Sequence, residues 1–98
     1  MQTFILLTKL SSDLSSRMNM REQIGKTWLK KVKESCPDVK FIAHYAILGQ
    51  YDFLDIYEAP DIETAAKISM ISRQNGASHA ESLPAIEYKK YVELVQDL

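Results

Sequence analysis

The segment VKFIAHYAILGQYDFLDIYEAPD, residues 39–61, decides the fold. Two runs rich in β-branched and aromatic residues, Val39 to Leu48 and Asp52 to Glu58, flank Gly49-Gln50. That spacing predicts a tight hairpin with glycine at the first central position, where φ must be positive. Along the second run the side chains alternate: Leu54 and Ile56 are expected towards covering helices, with Phe53, Asp55 and Tyr57 on the other side. Pro60-Asp61 then predicts a helix start, with Asp61 as cap and Glu63 placed where a negative charge favours the helix dipole.

Outward from this hairpin the pattern repeats. Towards the C-terminus, Ile62, Ala65, Ala66, Ser69 and Met70 share one helical face, and Asn75-Gly76 is a stop signal. Ala77 to Ala85 reads as a fourth strand, with Pro84 setting its end near an edge or a bend. Tyr88, Tyr91, Val92, Val95 and Leu98 then follow helical spacing from Glu87 onwards. Towards the N-terminus, Pro37-Asp38 stops a helix whose stripe is Ile24, Trp28, Leu29, Val32 and Cys36, with Asn19 expected as its cap and Glu22 three residues later. Gly25 interrupts that stripe at a cost of about 1 kcal/mol against alanine, and is expected to let the backbone approach the sheet. Thr3 to Leu10 is a short apolar strand, and Ser11 to Ser16 a polar loop with room for one helical turn. The order is β-α-β-β-α-β with an added C-terminal helix. An α+β, ferredoxin-like domain over residues 1–98 is expected: a four-stranded antiparallel sheet with both crossover helices on one face.

The chain has 98 residues, 46% hydrophobic and 26% charged, which is globular composition for one domain. Twelve Lys and Arg against thirteen Asp and Glu give a net charge of -1, with no bulk attraction to nucleic acid or anionic membranes. Cys36 is the only cysteine, so no intrachain disulfide forms and a reduced, cytoplasmic setting is expected. Phe4 to Leu7 is too short for a signal-peptide core, and no apolar run approaches the roughly 18 residues of a membrane span.

Three stretches resemble the GYD-domain family, named for a glycine, tyrosine and aspartate at such a hairpin. They are Leu48-Gly49-Gln50-Tyr51-Asp52 with Ile56-Tyr57-Glu58-Ala59-Pro60-Asp61, the opening Phe4 to Leu10, and Glu81-Ser82-Leu83-Pro84-Ala85. The resemblance covers nearly the whole chain and implies a ferredoxin-like fold of the dimeric α/β-barrel type, with no general activity attached. Relatives often carry a large aromatic just before the hairpin, where this chain has Ala46, which implies a wider pocket or a different ligand.

Several residues carry candidate chemistry. Tyr51 and Asp52 form either a polar pair at a pocket mouth, able to bind a ligand or move a proton, or a turn in which Asp52 accepts backbone N–H bonds. His44, with Tyr51 and Asp52, completes the expected ligand-binding set. His79 lies two residues from Glu81, but two histidines without a third ligand at metal spacing predict no metal site, and the expected strand order keeps them apart. Asp55 between two aromatics suits a cavity, or an ion pair with Lys9 or a partner's base. Lys26, Lys30, Lys31 and Lys33 pair with Glu22 and Glu34 at helical spacing and read as a solvated face, and Arg73 as a helix C-terminal charge. The aromatic and basic signature of RNA-recognition modules is absent, as are a phosphate loop, a Ser-His-Asp order and the two-thiol loop of copper chaperones. No cofactor is expected.

Two functions follow. The first is a non-catalytic small-molecule-binding or regulatory module acting as a homodimer or higher homo-oligomer. The alternative is a cofactor-independent oxygenase or isomerase, for which catalytic residues are unknown. An enclosed pocket containing Tyr51, His44 or Trp28 with convergent polar groups favours the enzyme, and a solid core favours the module. The homodimer is expected because Phe4 and Leu6 face opposite Ile5 and Leu7, as do Phe41, Tyr45 and Ile47 opposite Ile42, Ala46 and Leu48. Helices on one face leave the other apolar face to a second copy.

Overall fold

The computed structural model describes residues 1–98. Its sheet is antiparallel, in the order β2-β3-β1-β4, from β1 (Gln2–Leu10), β2 (Lys40–Ala46), β3 (Phe53–Ala59) and β4 (Ala77–Ala85). The helices are α1 (Ser12–Ser15), α2 (Arg21–Ser35), α3 (Ile62–Gln74) and α4 (Tyr88–Gln96). This is the ferredoxin-like β-α-β-β-α-β order with an extra terminal helix. The barrel implied by the resemblance is not seen. Four strands leave an open sheet with β2 and β4 at its edges, whereas about eight are needed before a barrel interior just holds its own side chains. No helix is long and apolar enough to cross a membrane.

The core lies between the sheet and α3. Phe4, Leu6, Tyr57, Ala59, Ala65, Ile68 and Val32 are buried together, with Phe4 stacked on Tyr57 at 5.5 Å. Because Phe4 pairs with Tyr57 and Leu6 with Asp55, the odd residues of β3 face the helices. The expected direction of β3 is therefore reversed: Asp55 and Tyr57 are buried, while Leu54 and Ile56 are half-buried on the open face. Alternation fixes the period of a strand but not which face turns inward. The buried Tyr57 hydroxyl donates to Ser82 Oγ at 2.9 Å, which ties β3 to β4 and meets the need of a polar group in the core.

Two boundary expectations differ from the structure. The β2–β3 connection runs from residue 47 to residue 52, closed by Ile47 N–H donating to Asp52 O at 2.9 Å, and Gly49 does not take positive φ. A 3₁₀ turn over Met18–Met20 leads directly into α2, so Asn19 lies inside that turn and caps nothing. The expected face of α3 is also turned: Ala65, Ile68, Ile71 and Ser72 are buried, whereas Ile62, Ala66 and Met70 are exposed. The cap and stop signals of that helix coincide with the structure. Asp61 caps α3, accepting from Thr64 N–H at 2.8 Å. Gly76 takes φ +102°, and a Cβ there would lie 1.7 Å from Leu14 Cδ1. Gly76→Ala combines that clash with left-handed strain and should destabilise the fold by about 2 kcal/mol, a fall of about 10 °C in thermal midpoint by calorimetry. An unchanged midpoint would mean that Leu14 moves aside freely.

Candidate functional site

Helix α2 does not pack along its whole stripe. Val32 and Cys36, near its C-terminus, are buried, whereas Ile24, Trp28 and Leu29 are only half-buried. Between the N-terminal half of α2 and the inner sheet face lies a cavity of about 480 Å³, within the size range of small-molecule sites. Its walls include Leu10, Ile24, Trp28, Phe41 and Phe53, with Arg21, Glu22, Lys26, His44 and Asp55 as charged or titratable members.

The polar wall depends on a bulge. Phe41 pairs with Tyr57 but Ala43 pairs with Ile56, so Ile42 is an extra residue in β2. One inserted residue shifts the alternation, which brings both Phe41 and His44 onto the inner face. His44 then stands opposite Asp55, and its Nδ1 is hydrogen-bonded to Asp55 Oδ1. Asp55 is 2% exposed, and that burial pushes its carboxyl above the usual range, with the His44 charge acting in the opposite direction. His44 also stacks on Phe53 at 5.7 Å. On the helix side, Trp28 Nε1–H donates to Ser72 Oγ at 2.9 Å, and the Ser72 hydroxyl in turn donates to Ile68 O. This chain of hydrogen bonds pins the indole between α2 and α3.

Of the three expected ligand-binding residues, His44 lines the cavity and the other two lie elsewhere. Asp52 Oδ2 accepts from Leu10 N–H at 2.7 Å, where the β1–β4 register shifts, and Asp52 N–H donates to Thr8 O at 2.8 Å. The Tyr51 hydroxyl donates to Glu81 Oε1 at 3.3 Å, beside the His79–Glu81 pair. The hydrogen bond from His79 holds the Glu81 carboxyl below the usual range. His44 and His79 sit on opposite edge strands. No group of three or more His, Cys, Asp or Glu side chains gathers as for a metal ion. Ala46 pairs with Phe53 on the cavity's side of the sheet but is exposed. Arg21, in the wall, is the residue that sequence reading passes over, and Gly25, expected to let the backbone approach the sheet, lines open space instead. Each breaks a local rule: a cation opposes the dipole at a helix N-terminus, and glycine weakens a helix interior.

A GYD domain profile matches residues 4–95. The chain belongs to the GYD domain family. A relative from Thermus thermophilus, a glutamine synthetase and cystathionine β-lyase binding protein, is 30% identical over 86 residues, spanning 88% of this chain and 90% of the relative. Among solved structures, FFRP-DM1 aligns with a TM-score of 0.57 at 17% identity, covering 88% of this chain and 100% of that one. A hypothetical protein, PHS023, from Pyrococcus horikoshii aligns with a TM-score of 0.54 at 19% identity, covering 89% and 92%. At these identities the two structures share the fold of this GYD domain.

The buried Asp55 has a measurable signature. Its folded state holds a proton more tightly than the unfolded chain, so its contribution to stability is greatest at low pH. That contribution is lost as pH rises from the ordinary value near 3.8 through the raised folded value. Asp55→Asn removes this dependence. The thermal midpoint of the variant should gain on that of the natural protein as pH rises from about 3.5 to about 7, on top of any constant offset. A pH-independent difference would show that the carboxyl is unperturbed.

Proposed function

We propose that this GYD domain is a cytoplasmic, homo-oligomeric small-molecule-binding module with a regulatory role, its ligand received in the cavity between α2 and the sheet. The observation that carries the reading is Gly25. It lies in the cavity wall, and a Cβ added there would meet nothing within 4 Å. Close packing against the sheet, the expected reason for this glycine, is therefore not its role. A residue that weakens its helix without relieving any contact leaves room for something else. The relative named for binding glutamine synthetase and cystathionine β-lyase supports a module whose output is contact with another protein.

The second reading is a cofactor-independent oxygenase or isomerase. Trp28 and His44 in the wall favour it, because a histidine oriented by a buried aspartate is the arrangement of a general base. Against it, Ser72 and Asn75 each donate to a backbone carbonyl, which leaves them little to do in a reaction.

Native mass spectrometry of the protein from its own host tests both readings. A retained small molecule, absent from Gly25→Leu, supports the site, and its return unchanged after incubation in air favours the module over the enzyme. An empty natural protein would count against both. Gly25→Ala should raise the thermal midpoint by about 4–8 °C, the yield of about 1 kcal/mol of helix propensity in a domain of this size. No gain would mean that Gly25 is needed by the fold itself.

The open face of the sheet supports the oligomer. Ile5, Leu7, Leu54 and Ile56 line it, with Leu83 exposed at 43% and Tyr45 at 59%. The chain's own terminal helix does not bury itself there: no residue of α4 is buried, and Tyr91 and Val95 stay about half exposed. Four strands of about seven residues have a footprint of about 450 Å², short of the roughly 800 Å² per partner of a stable interface. The apolar side of α4, laid on a second copy, supplies the remainder. Light scattering after size exclusion at micromolar concentration should give at least twice the chain mass of 11.2 kDa. A soluble species of single-chain mass would remove the oligomer.

A further inference from the structure

We infer that the cavity selects a small apolar monocarboxylate, with Arg21 as its anchor. The inference rests on the binding reading above and adds the chemistry of the ligand. In the whole chain one shielded side-chain nitrogen or oxygen lacks a hydrogen-bond partner, and it is Arg21 Nε. Buried donors without partners are rare in folded proteins, and a cation's donor more so. The rest of the guanidinium is poorly served. Its Nη2 reaches only Met18 Sδ, at 3.7 Å, its carbon lies 5.2 Å from the Phe53 ring centre, and it forms no salt bridge.

The surroundings set the ligand's charge and shape. The Asp55 carboxylate is engaged by His44, and Glu22 is engaged by Lys26 at 3.0 Å, so Arg21 is the wall's unmatched cation. One unmatched cation suits one negative charge. A planar guanidinium offers paired donors to a carboxylate, here through its Nη edge, since Nε itself is shielded. Arg21 and His44 both pack on Phe53 and both line the cavity. The position also places the anion at the N-terminus of a 15-residue helix whose N-cap, Met20, supplies no side-chain hydrogen bond. Gly25 stands one turn beyond Arg21 on the same helix, lines the same cavity and leaves the space at its own Cα open. Beyond the charge, Leu10, Ile24, Trp28 and Phe41 form an apolar wall for the remainder of the ligand. A polyanion such as a nucleotide finds neither the charge nor the polar lining.

Trp28 is the only tryptophan and lines the cavity, so its fluorescence reports occupancy. The probes are 3-phenylpropionate and its amide, which share shape and differ in charge. The carboxylate should perturb Trp28 and bind at least about tenfold more tightly than the amide, with Arg21→Gln closing the gap to within about twofold. Rescue of the preference by Arg21→Lys to a partial extent is expected, since charge is kept and the fork is lost. Equal affinity of acid and amide, or a preference that survives Arg21→Gln, overturns the inference while leaving the cavity a binding site. If neither compound binds although native mass spectrometry finds a retained ligand, the inference falls and the binding reading stands. If neither compound binds and no ligand is retained, both fall.

Discussion

A carboxylate buried on the inner face of a sheet must be partnered or neutralised, and in this chain that requirement organises one side of the molecule. Asp55 comes from the middle of β3, where neighbouring positions bury Tyr57 and Ala59. Its partner cannot come from β1, whose opposite residue is Leu6. It comes from β2, and only because an inserted residue at Ile42 moves His44 to the inner face. The pair then supplies a polar wall in an otherwise apolar space, at the end of the sheet where α2 is least buried. Strand, bulge and helix position thus answer to one ionisable group.

The two crossover helices divide the labour. Helix α3 comes close to β1, β3 and β4, and its small residues Ala65 and Ser72 permit that approach. Helix α2 has α3 as its near neighbour and meets the core chiefly through Val32, Cys36 and Trp28. A fully packed α2 would give a larger core and no cavity. The hydrogen-bonded link from Trp28 through Ser72 to the α3 backbone holds α2 at its distance without filling the space beneath it. Stability therefore resides mainly on the α3 side, and the cavity on the α2 side.

Much of this fold was legible in the sequence because its signals are local and chemical. Asp61 ahead of a helix, Gly76 after one and Pro84 near a strand end need no tertiary information, whereas the buried face of α3 does. The inner face of β3 was not legible, since Leu54 and Ile56 are as apolar as Phe53 and Tyr57, and the burial of Asp55 runs against composition. A bulge such as that at Ile42 leaves no mark when both neighbours, Phe41 and Ala43, are ordinary strand residues. His44 was legible as a candidate by residue type, but its partner was not. Arg21 stood beside four lysines that read as a solvated face, and only its unfavourable place at a helix start set it apart.

The ends of the open sheet have a consequence of their own. An unpaired edge strand is a template on which further chains can stack in register, the route to fibrous growth. On one side, the bulge in β2 bends the strand and interrupts its ladder. On the other, Pro84 removes one amide donor from β4, and the shift at its opposite end breaks the register again. Both rims are irregular. A chain that carries so much apolar surface is thereby steered away from endless lateral addition at its sheet edges.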